Sequence, residues 1–157
     1  MSLFLVLPLA VQGVLMVVDE ACFHRVRRLP RWERIGHPLD TLSVLACYAY
    51  VLWVPFSAGA RSGYIALAAF STLFVTKDEF VHNKQCSGRE QWIHAVLFVL
   101  HPVVFLVLAI AWPDLNGSAS TMAFAIQVQF AGAILFLLYQ TLYWNLPWKP
   151  AAPRRVA

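Results

Sequence analysis

The chain alternates long apolar stretches with short polar segments. Each apolar stretch approaches the roughly 20 residues that a helix needs to cross a hydrocarbon core about 30 Å thick. The pattern predicts five membrane-spanning helices, at about residues 3–20, 38–56, 64–82, 91–112 and 119–144. The predicted fold class is therefore an all-α integral membrane protein, a compact bundle of five transmembrane helices that forms one domain over residues 1–157.

The breaks between the apolar stretches carry typical boundary residues. Residues 57–63 are rich in Gly, Ser and Ala, and residues 113–118 read PDLNGS, so both predict turns. Pro38 has a fixed φ that suits the first turn of a helix. The second span is therefore predicted to begin near Pro38, with His37 close to the N-cap and Asp40 in the first turn.

The composition agrees with this pattern. The chain is 60% hydrophobic and 13% charged, with a mean hydropathy of +0.63, which lies outside the usual balance of soluble domains. Its three cysteines, Cys22, Cys47 and Cys86, form no C-x-x-C pair. Reduced thiols are expected rather than a disulfide framework or a thiolate zinc site.

The basic residues predict an orientation. Of the 12 Lys and Arg residues, five follow span one, three follow span three and three follow span five, which leaves only Arg61 on the other side. The positive-inside rule makes the basic side cytoplasmic, with the N-terminus outside and the C-terminus inside. The net charge of +4 is thus explained by topology, and no nucleic-acid partner is expected. The N-terminal stretch lacks a basic leader and a small-residue cleavage motif, so it is an uncleaved span, placed in a bacterial cytoplasmic membrane.

The candidate chemistry lies at the cytoplasmic ends of spans one to four. The residues there are carboxylates and imidazoles, which share an ability to bind metal ions. The predicted ligands are Glu20, His24, His37, Asp40, Glu79, His82, Glu90, His94 and His101. Two further acids, Asp19 and Asp78, are predicted to be catalytic, as general bases.

The sequence spacing places some of these residues in pairs on one helix face. Glu79 and His82 are three apart and Glu90 and His94 are four apart, so each pair shares a helix face. Glu79-x-x-His82 resembles the Glu-x-x-His element of soluble di-iron four-helix bundles, as an analogy of ligand type rather than of family. His101 lies seven residues, or about 10 Å, beyond His94 on nearly the same face.

Other interpretations of single residues stay open. His101 precedes Pro102, so a structural histidine bonded to a carbonyl freed by the proline is an alternative to a ligand. Ion pairs with the loop arginines are an alternative for Glu33 and Asp19. Cys86 is interpreted as a spectator thiol. The aromatic end of span five is typical of a membrane-interface belt, with an acyl-chain entrance as the alternative.

The ligand inventory predicts two divalent transition-metal ions, because it exceeds the three protein ligands of one catalytic zinc. Imidazole with carboxylate suits iron, zinc or manganese rather than copper(I) or an iron–sulfur cluster. The chain has no G-x-S-x-G motif and no glycine-rich phosphate loop. It also lacks the multiple H-x-x-H-H boxes of membrane desaturases and alkane hydroxylases.

These observations favour a metal-dependent enzyme that acts on a lipid or another hydrophobic substrate at the cytoplasmic leaflet. A di-iron-type oxidoreductase, a hydroxylase or desaturase with a redox partner, is the preferred hypothesis. A zinc-dependent lipid hydrolase is the alternative within the enzyme class. A divalent-metal transporter or sensor is a third hypothesis, although the spans carry few deep polar residues beyond Gln12, Gln127 and Gln129. A structural membrane subunit is the fourth, and it would tolerate loss of both His82 and His94.

Overall fold

A computed structural model describes residues 3–80, 85–115 and 120–146, and these residues are almost entirely helical, with no strand among them. The five main helices are α1 (Val6–Asp19), α2 (Arg31–Trp53), α3 (Ala58–Phe74), α4 (Gly88–Leu115) and α5 (Thr121–Asn145). Shorter elements are the 3-10 helices Leu3–Leu5 and Val75–Asp78, the π-helix Glu20–His24 and the α-helical turn Arg25–Arg27. The all-α prediction is confirmed for the part of the chain that is described.

Four helical stretches are long and apolar enough to cross a membrane. They are Val6–Arg27, Ala58–Asp78, Gly88–Leu115 and Thr121–Asn145, and they correspond to predicted spans one, three, four and five. The helix α2 is as long as these, with 23 residues, but its first half carries polar residues such as His37, Asp40 and Thr41. The protein is therefore a membrane-type helical bundle in which α2 is the most polar helix.

The helix α4 contacts each of the other four main helices, α2 packs against α3, α4 and α5, and α1 packs against α4 and α5. A hydrophobic core fills the half of the bundle remote from the predicted metal ligands. Trp112 is fully buried there, and the rings of Phe56 and Tyr64 contact it with centroid distances of 5.3 and 5.5 Å. The indole Nε1 of Trp112 donates to the carbonyl of Val54 at 2.8 Å. This end of the bundle is held by aromatic packing, although the buried hydroxyl of Tyr48 in the same core has no hydrogen-bond partner among the described residues.

The helix α2 begins earlier than the sequence pattern indicates. It starts at Arg31, so Pro38 lies in its interior rather than in its first turn. A proline inside a helix removes the N–H that would bond to the carbonyl four residues earlier, which here belongs to Arg34. The side-chain amide of Asn145, at the end of α5, donates to that carbonyl at 3.1 Å. The proline is accommodated because a neighbouring helix supplies the missing donor.

A π-helical turn determines how the end of α1 faces the bundle. Asp19 and His24 are five residues apart, which in a regular α-helix would separate them by about 140° around the axis. Within the π-helix Glu20–His24, the N–H of Arg25 bonds to the carbonyl of Glu20, five residues back. This winding brings residues five apart onto one face. Asp19 and His24 therefore point into the bundle together, and both are buried.

Candidate metal centre

The ends of α1 to α4 bring acids and histidines into two adjoining groups. The first is Asp19, His24, Glu90 and His94, and the second is His37, Asp40 and Asp78. Within each group, one ligand atom from every residue lies within 4.8 Å of the others. All four residues of the first group are buried, and this group can hold a metal ion.

The first group has distances that suit a small coordination sphere. The Nε2 of His94 lies 3.0 Å from Oδ2 of Asp19, and the Nε2 of His24 lies 3.1 Å from the same oxygen. The Nε2 of His24 is also 4.0 Å from Oε1 of Glu90. Ligand atoms around a tetrahedral ion with bonds near 2.1 Å are about 3.4 Å apart. The observed distances lie on either side of that value.

Asp19 retains an unused acceptor inside the first group. The residue is only 5% exposed, and its Oδ1 is buried with no hydrogen-bond partner among the described residues. A buried carboxylate oxygen left without a partner is costly, because water no longer solvates it. A cation bound at this oxygen would remove that cost.

Glu20 lies outside both groups, although the sequence pattern predicts it as a ligand. Its Oε2 is 3.2 Å from Nδ1 of His24, while its Oε1 accepts hydrogen bonds from the Tyr139 hydroxyl at 2.7 Å and from Trp144 Nε1 at 3.0 Å. A carboxylate that accepts a hydrogen bond from one imidazole nitrogen fixes the orientation of the ring, so that the other nitrogen can bind a metal. Glu20 thus orients His24, while α5 holds Glu20 in place.

The second group is half-buried, and the ammonium group of Lys77 lies against its two carboxylates. The Nδ1 of His37 lies 3.6 Å from Oδ2 of Asp78 and 3.9 Å from Oδ2 of Asp40. The ammonium group of Lys77 lies 2.6 Å from Oδ1 of Asp40 and 3.3 Å from Oδ1 of Asp78. The ring of His37 stacks on that of His24, with centroids 4.7 Å apart and planes inclined by 18°. The two groups therefore adjoin through stacked imidazoles.

Arg27 joins Glu33 to the first group. Its NH1 and NH2 lie 3.3 and 2.7 Å from the two oxygens of Glu33, and its Nε donates to Glu90 at 3.1 Å. Glu33 precedes the apolar part of α2 and is fully buried. Burial by itself raises the pKa of Glu33, but hydrogen bonds from His37 and Arg27 and the charge of Arg27 lower it to about 2. The expected pairing of Glu33 with an arginine is present, whereas Asp19 contacts the histidines His24 and His94.

The cluster carries more negative than positive side chains. Its six buried or half-buried acids are Asp19, Glu20, Glu33, Asp40, Asp78 and Glu90. The cationic side chains bonded to them are Arg27 and Lys77, so six carboxylates less two cations leave four negative charges when the histidines are neutral. Such an excess is expensive away from water. Metal ions, protonated histidines or protonated carboxyl groups would compensate this excess.

His101 belongs to neither ligand group. Its Nε2 lies 3.1 Å from the hydroxyl of Ser71 and its Nδ1 lies 3.4 Å from Nε2 of Gln12. Ser71 is in turn 2.7 Å from the hydroxyl of Ser43. The helix α4 continues through Pro102, and both ring nitrogens contact side chains instead of a freed carbonyl. His101 is part of a buried hydrogen-bond chain that links α1, α2, α3 and α4.

A cavity of about 120 Å³ connects these features. Residues of both ligand groups line one part of it, and His101 and Gln12 line another. Its remaining wall is mostly apolar, with Met16, Val44, Val75, Leu97, Phe98 and Phe136. A hydrophobic group in this cavity would lie next to the ligand groups.

Of the predicted pair Glu79 and His82, the described residue, Glu79, is not brought to the cluster. Asp78 is buried while Glu79 is exposed, because neighbouring residues in a helix differ by about 100° and only one of the two can face inward. His82 lies outside the described residues. Asp78 joins the second ligand group instead of standing apart as the predicted general base, and Asp19 joins the first.

The sequence pattern did not indicate that Glu33 contacts His37 or that Lys77 contacts Asp40. Glu33 stands four residues before His37, the same spacing as Glu90 and His94, and that spacing was the available signal. This spacing has meaning only if residues 31–37 are helical, whereas the sequence pattern predicts a polar connection before Pro38. No local pattern indicates that Lys77 turns back onto α2.

Comparisons with protein-family models, with curated proteins and with solved structures found no match to this chain. What the protein does must be inferred from its own residues. The two ligand groups are the strongest indication, because they combine burial, metal-binding side chains and an excess of negative charge.

Proposed function

We propose that the protein is a membrane-embedded, metal-dependent enzyme that acts on a lipid or another hydrophobic substrate. The preferred activity is that of a di-iron-type oxidoreductase, a hydroxylase or desaturase. The observation that carries this proposal is the position of two adjoining His/carboxylate groups on an apolar-walled cavity. Such a cavity brings a hydrophobic substrate next to bound metal and limits the access of water.

Two metal ions are proposed, one for each group. Two divalent ions would match the four excess negative charges that the cluster carries while the ammonium of Lys77 stays against Asp40 and Asp78. The seven ligands comprise four carboxylates and three imidazoles, a mixture that suits iron and also zinc or manganese. In this proposal Asp19 and Asp78 are ligands rather than free general bases.

The redox reaction needs a partner. Hydroxylation breaks a C–H bond of the substrate and forms a C–OH bond with one atom of O₂. The other oxygen atom leaves as water, so the reaction consumes two electrons and two protons. A reduced electron-transfer protein or small reductant at the cytoplasmic face is proposed as the source of electrons. The apolar walls of the cavity would hold the substrate carbon and keep bulk water away.

A zinc-dependent lipid hydrolase is the second candidate. The observation that favours it is the spacing of ligand atoms in the first group, where His94 and His24 lie 3.0 and 3.1 Å from Asp19 and His24 lies 4.0 Å from Glu90, close to the spacing around a tetrahedral ion. Zinc would lower the pKa of a bound water in that site. A transporter is less favoured, because apolar and aromatic side chains fill the half of the bundle beyond the cavity.

The full topology is also part of the proposal. The packing of α2 against α3, α4 and α5 supports a fifth crossing, and the distribution of Lys and Arg supports an outside N-terminus and a cytoplasmic ligand cluster in a bacterial cytoplasmic membrane. A reporter that is active only in the periplasm should be active when inserted at Gly59 and silent when fused after Arg155. Equal activity at the two sites would remove one crossing from this topology.

Elemental analysis of the purified protein tests the metal centre. Wild type should retain close to two transition-metal ions per chain after gentle detergent extraction. His94→Ala should lose the ion of the first group while the protein still inserts and folds, because insertion depends on the apolar spans. Glu79→Ala is the matched control, since its exposed side chain should leave the metal content unchanged.

The same purified proteins also distinguish the oxidoreductase from the hydrolase and from a cluster without metal. A visible spectrum of the aerobic protein that shows iron absorption favours the oxidoreductase, whereas stoichiometric zinc favours the hydrolase. Wild type without stoichiometric metal would identify the cluster as an ion-pair network and would remove the basis for an enzyme. Loss of metal in Glu79→Ala but not in His94→Ala would show that the ligand set is different.

A further inference from the structure

A basic pocket lies at the same end of the bundle as the ligand groups but outside them. It has a volume of about 100 Å³, and its polar lining consists of Arg25, Arg28, Arg34, Tyr143 and Trp144. No acidic side chain lines it among the described residues, although Glu20 accepts a hydrogen bond from the lining Trp144. The Nε of Arg34 is buried and has no hydrogen-bond partner among the described residues. Guanidinium groups that share one pocket favour an anionic ligand, and guanidinium groups bind phosphate oxygens in pairs.

An apolar groove of about 350 Å³ runs between α1 and α5. Its lining includes Gly13, Met16, Gln129, Gly132, Phe136 and Tyr139. Gly132 helps to keep this space open, because no atom lies within 4 Å of the position that a Cβ would occupy there. Gly132 is also exposed, so the groove is open to the surroundings of an apolar helix, which in a membrane are lipid chains.

The groove and the basic pocket lie along one face of α5. Gly132, Phe136, Tyr139 and Tyr143 follow one another at intervals of four, three and four residues, which keeps them on one side of the helix. They cover about 17 Å of helix length. Tyr139 lines the groove, Tyr143 lines the basic pocket, and their rings stack with centroids 5.1 Å apart. Arg25 lies over the ring of Tyr143 at 5.4 Å.

The groove also adjoins the cavity of the candidate metal centre. Met16 and Phe136 line both spaces. Their two side chains therefore form the partition between an apolar chain in the groove and the two ligand groups. Methionine is unbranched and flexible, so this partition is suited to opening by a change of side-chain rotamer.

We propose that the basic pocket and the groove together bind one anionic diacyl phospholipid. Its phosphate lies against Arg25, Arg28 and Arg34, and one acyl chain follows the groove toward Met16 and Phe136. Anionic lipids are attracted to clustered arginines at the cytoplasmic leaflet. The further assignment of this lipid as the substrate rests on the proposed function, whereas its binding does not require a metal.

Native mass spectrometry of the detergent-purified chain tests the headgroup. The ligands are dioleoyl phosphatidylglycerol, dioleoyl phosphatidylcholine and glycerol 3-phosphate. Phosphatidylglycerol should bind at least tenfold more tightly than phosphatidylcholine, and glycerol 3-phosphate should bind more weakly than either lipid. Arg34→Gln should lower the affinity for phosphatidylglycerol at least tenfold. Arg31→Gln is the matched control, because Arg31 is exposed and outside the pocket, and it should change nothing.

A second variant tests the groove. Gly132→Leu should reduce the affinity for phosphatidylglycerol at least tenfold by filling the space of the acyl chain, while its metal content stays that of wild type. Gly59→Leu introduces the same side chain at another glycine with no atom within 4 Å of its Cβ position, and it should bind lipid normally. Thermal unfolding of both variants verifies that they are folded.

Several results would overturn the assignment. Equal affinity for the two lipids, or no effect of Arg34→Gln, would eliminate the phosphate site. Glycerol 3-phosphate that binds as tightly as the lipid would indicate a site for a soluble anion, and normal binding by Gly132→Leu would eliminate the groove. If the metal proposal alone fails, wild type will carry no stoichiometric metal but will still select phosphatidylglycerol.

Discussion

The two halves of the bundle differ in how many buried polar and charged side chains they contain. In the half around Trp112, the indole N–H and the hydroxyl of Tyr64 donate to backbone carbonyls at 2.8 Å. In the half around Asp19, acids and histidines crowd together, and a buried carboxylate oxygen has no partner among the described residues. The first half has the character of a folding core. The second half has the character of a ligand site, since its polar atoms exceed what the protein itself pairs.

This contrast separates stability from chemistry. Packing in the aromatic half depends on shape and on buried apolar area. The charged half gains stability only when a cation compensates its carboxylates. Substitutions in the first half should therefore affect folding with or without metal, while substitutions in the second half should affect metal binding first.

The largest expected effect is that of Trp112→Ala in the aromatic half. Removal of a fully buried tryptophan should lower the free energy of unfolding by about 3–5 kcal/mol, because it leaves a cavity between α2, α3 and α4. Thermal unfolding in detergent measures this loss with metal-free protein. Trp92→Ala is the control, since Trp92 is 67% exposed and its removal should have little effect. Equal losses for the two variants would show that the aromatic half is not the folding core.

His101 lies between the two halves and should behave as a structural residue. His101→Ala removes the ring that contacts the amide of Gln12 and the hydroxyl of Ser71, so the free energy of unfolding should fall by about 1–3 kcal/mol. The metal content should remain that of wild type, as measured by elemental analysis. His101→Gln keeps a hydrogen-bonding group at this position and should recover part of the stability. Complete metal loss in His101→Ala would instead make His101 a ligand.

Glu20→Gln should weaken metal binding without removing a ligand. The substitution keeps an oxygen acceptor for Tyr139 and Trp144 but weakens the interaction that orients His24. Loss of such an outer carboxylate typically lowers metal affinity about 10–100-fold, or about 1.4–2.7 kcal/mol. Competition with a chromophoric chelator measures the affinity. Glu79→Gln makes the same chemical change at an exposed position and should leave the affinity unaltered, so equal effects would refute the orienting role.

The smallest expected effect concerns the carbonyl of Arg34, which accepts a hydrogen bond from the side-chain amide of Asn145. Asn145→Ala should lower the free energy of unfolding by about 0.5–1 kcal/mol, because Asn145 is exposed and water can replace part of the bond. In a Pro38→Ala background, the restored N–H of residue 38 can donate to the same carbonyl. The cost of Asn145→Ala should then nearly vanish, and a double-mutant cycle measures this coupling. Additive effects would mean that Asn145 does not compensate for the proline.

The sequence pattern located most helices because apolar length is a local property. Spans one, three, four and five correspond to helical stretches that can cross a membrane. The pair of Glu90 and His94 was also predictable, since α4 is a regular helix there and a spacing of four places both on one face. The start of α2 was not, because Pro38 is a typical first-turn residue and only a donor from α5 explains its place in the helix interior.

The sequence by itself determined that this is a helical membrane protein with its acids and histidines concentrated at one end. These properties follow from composition and from the order of residues along each span. Only the tertiary structure decided which of those residues meet. The π-helical turn brings Asp19 onto the face of His24, the 3-10 helix after α3 turns Asp78 inward and leaves Glu79 outward, and packing against α5 makes Glu20 an outer partner. The physical reason is that periodicity relates residues within one helix, whereas the rotation of each helix about its axis is set by its neighbours.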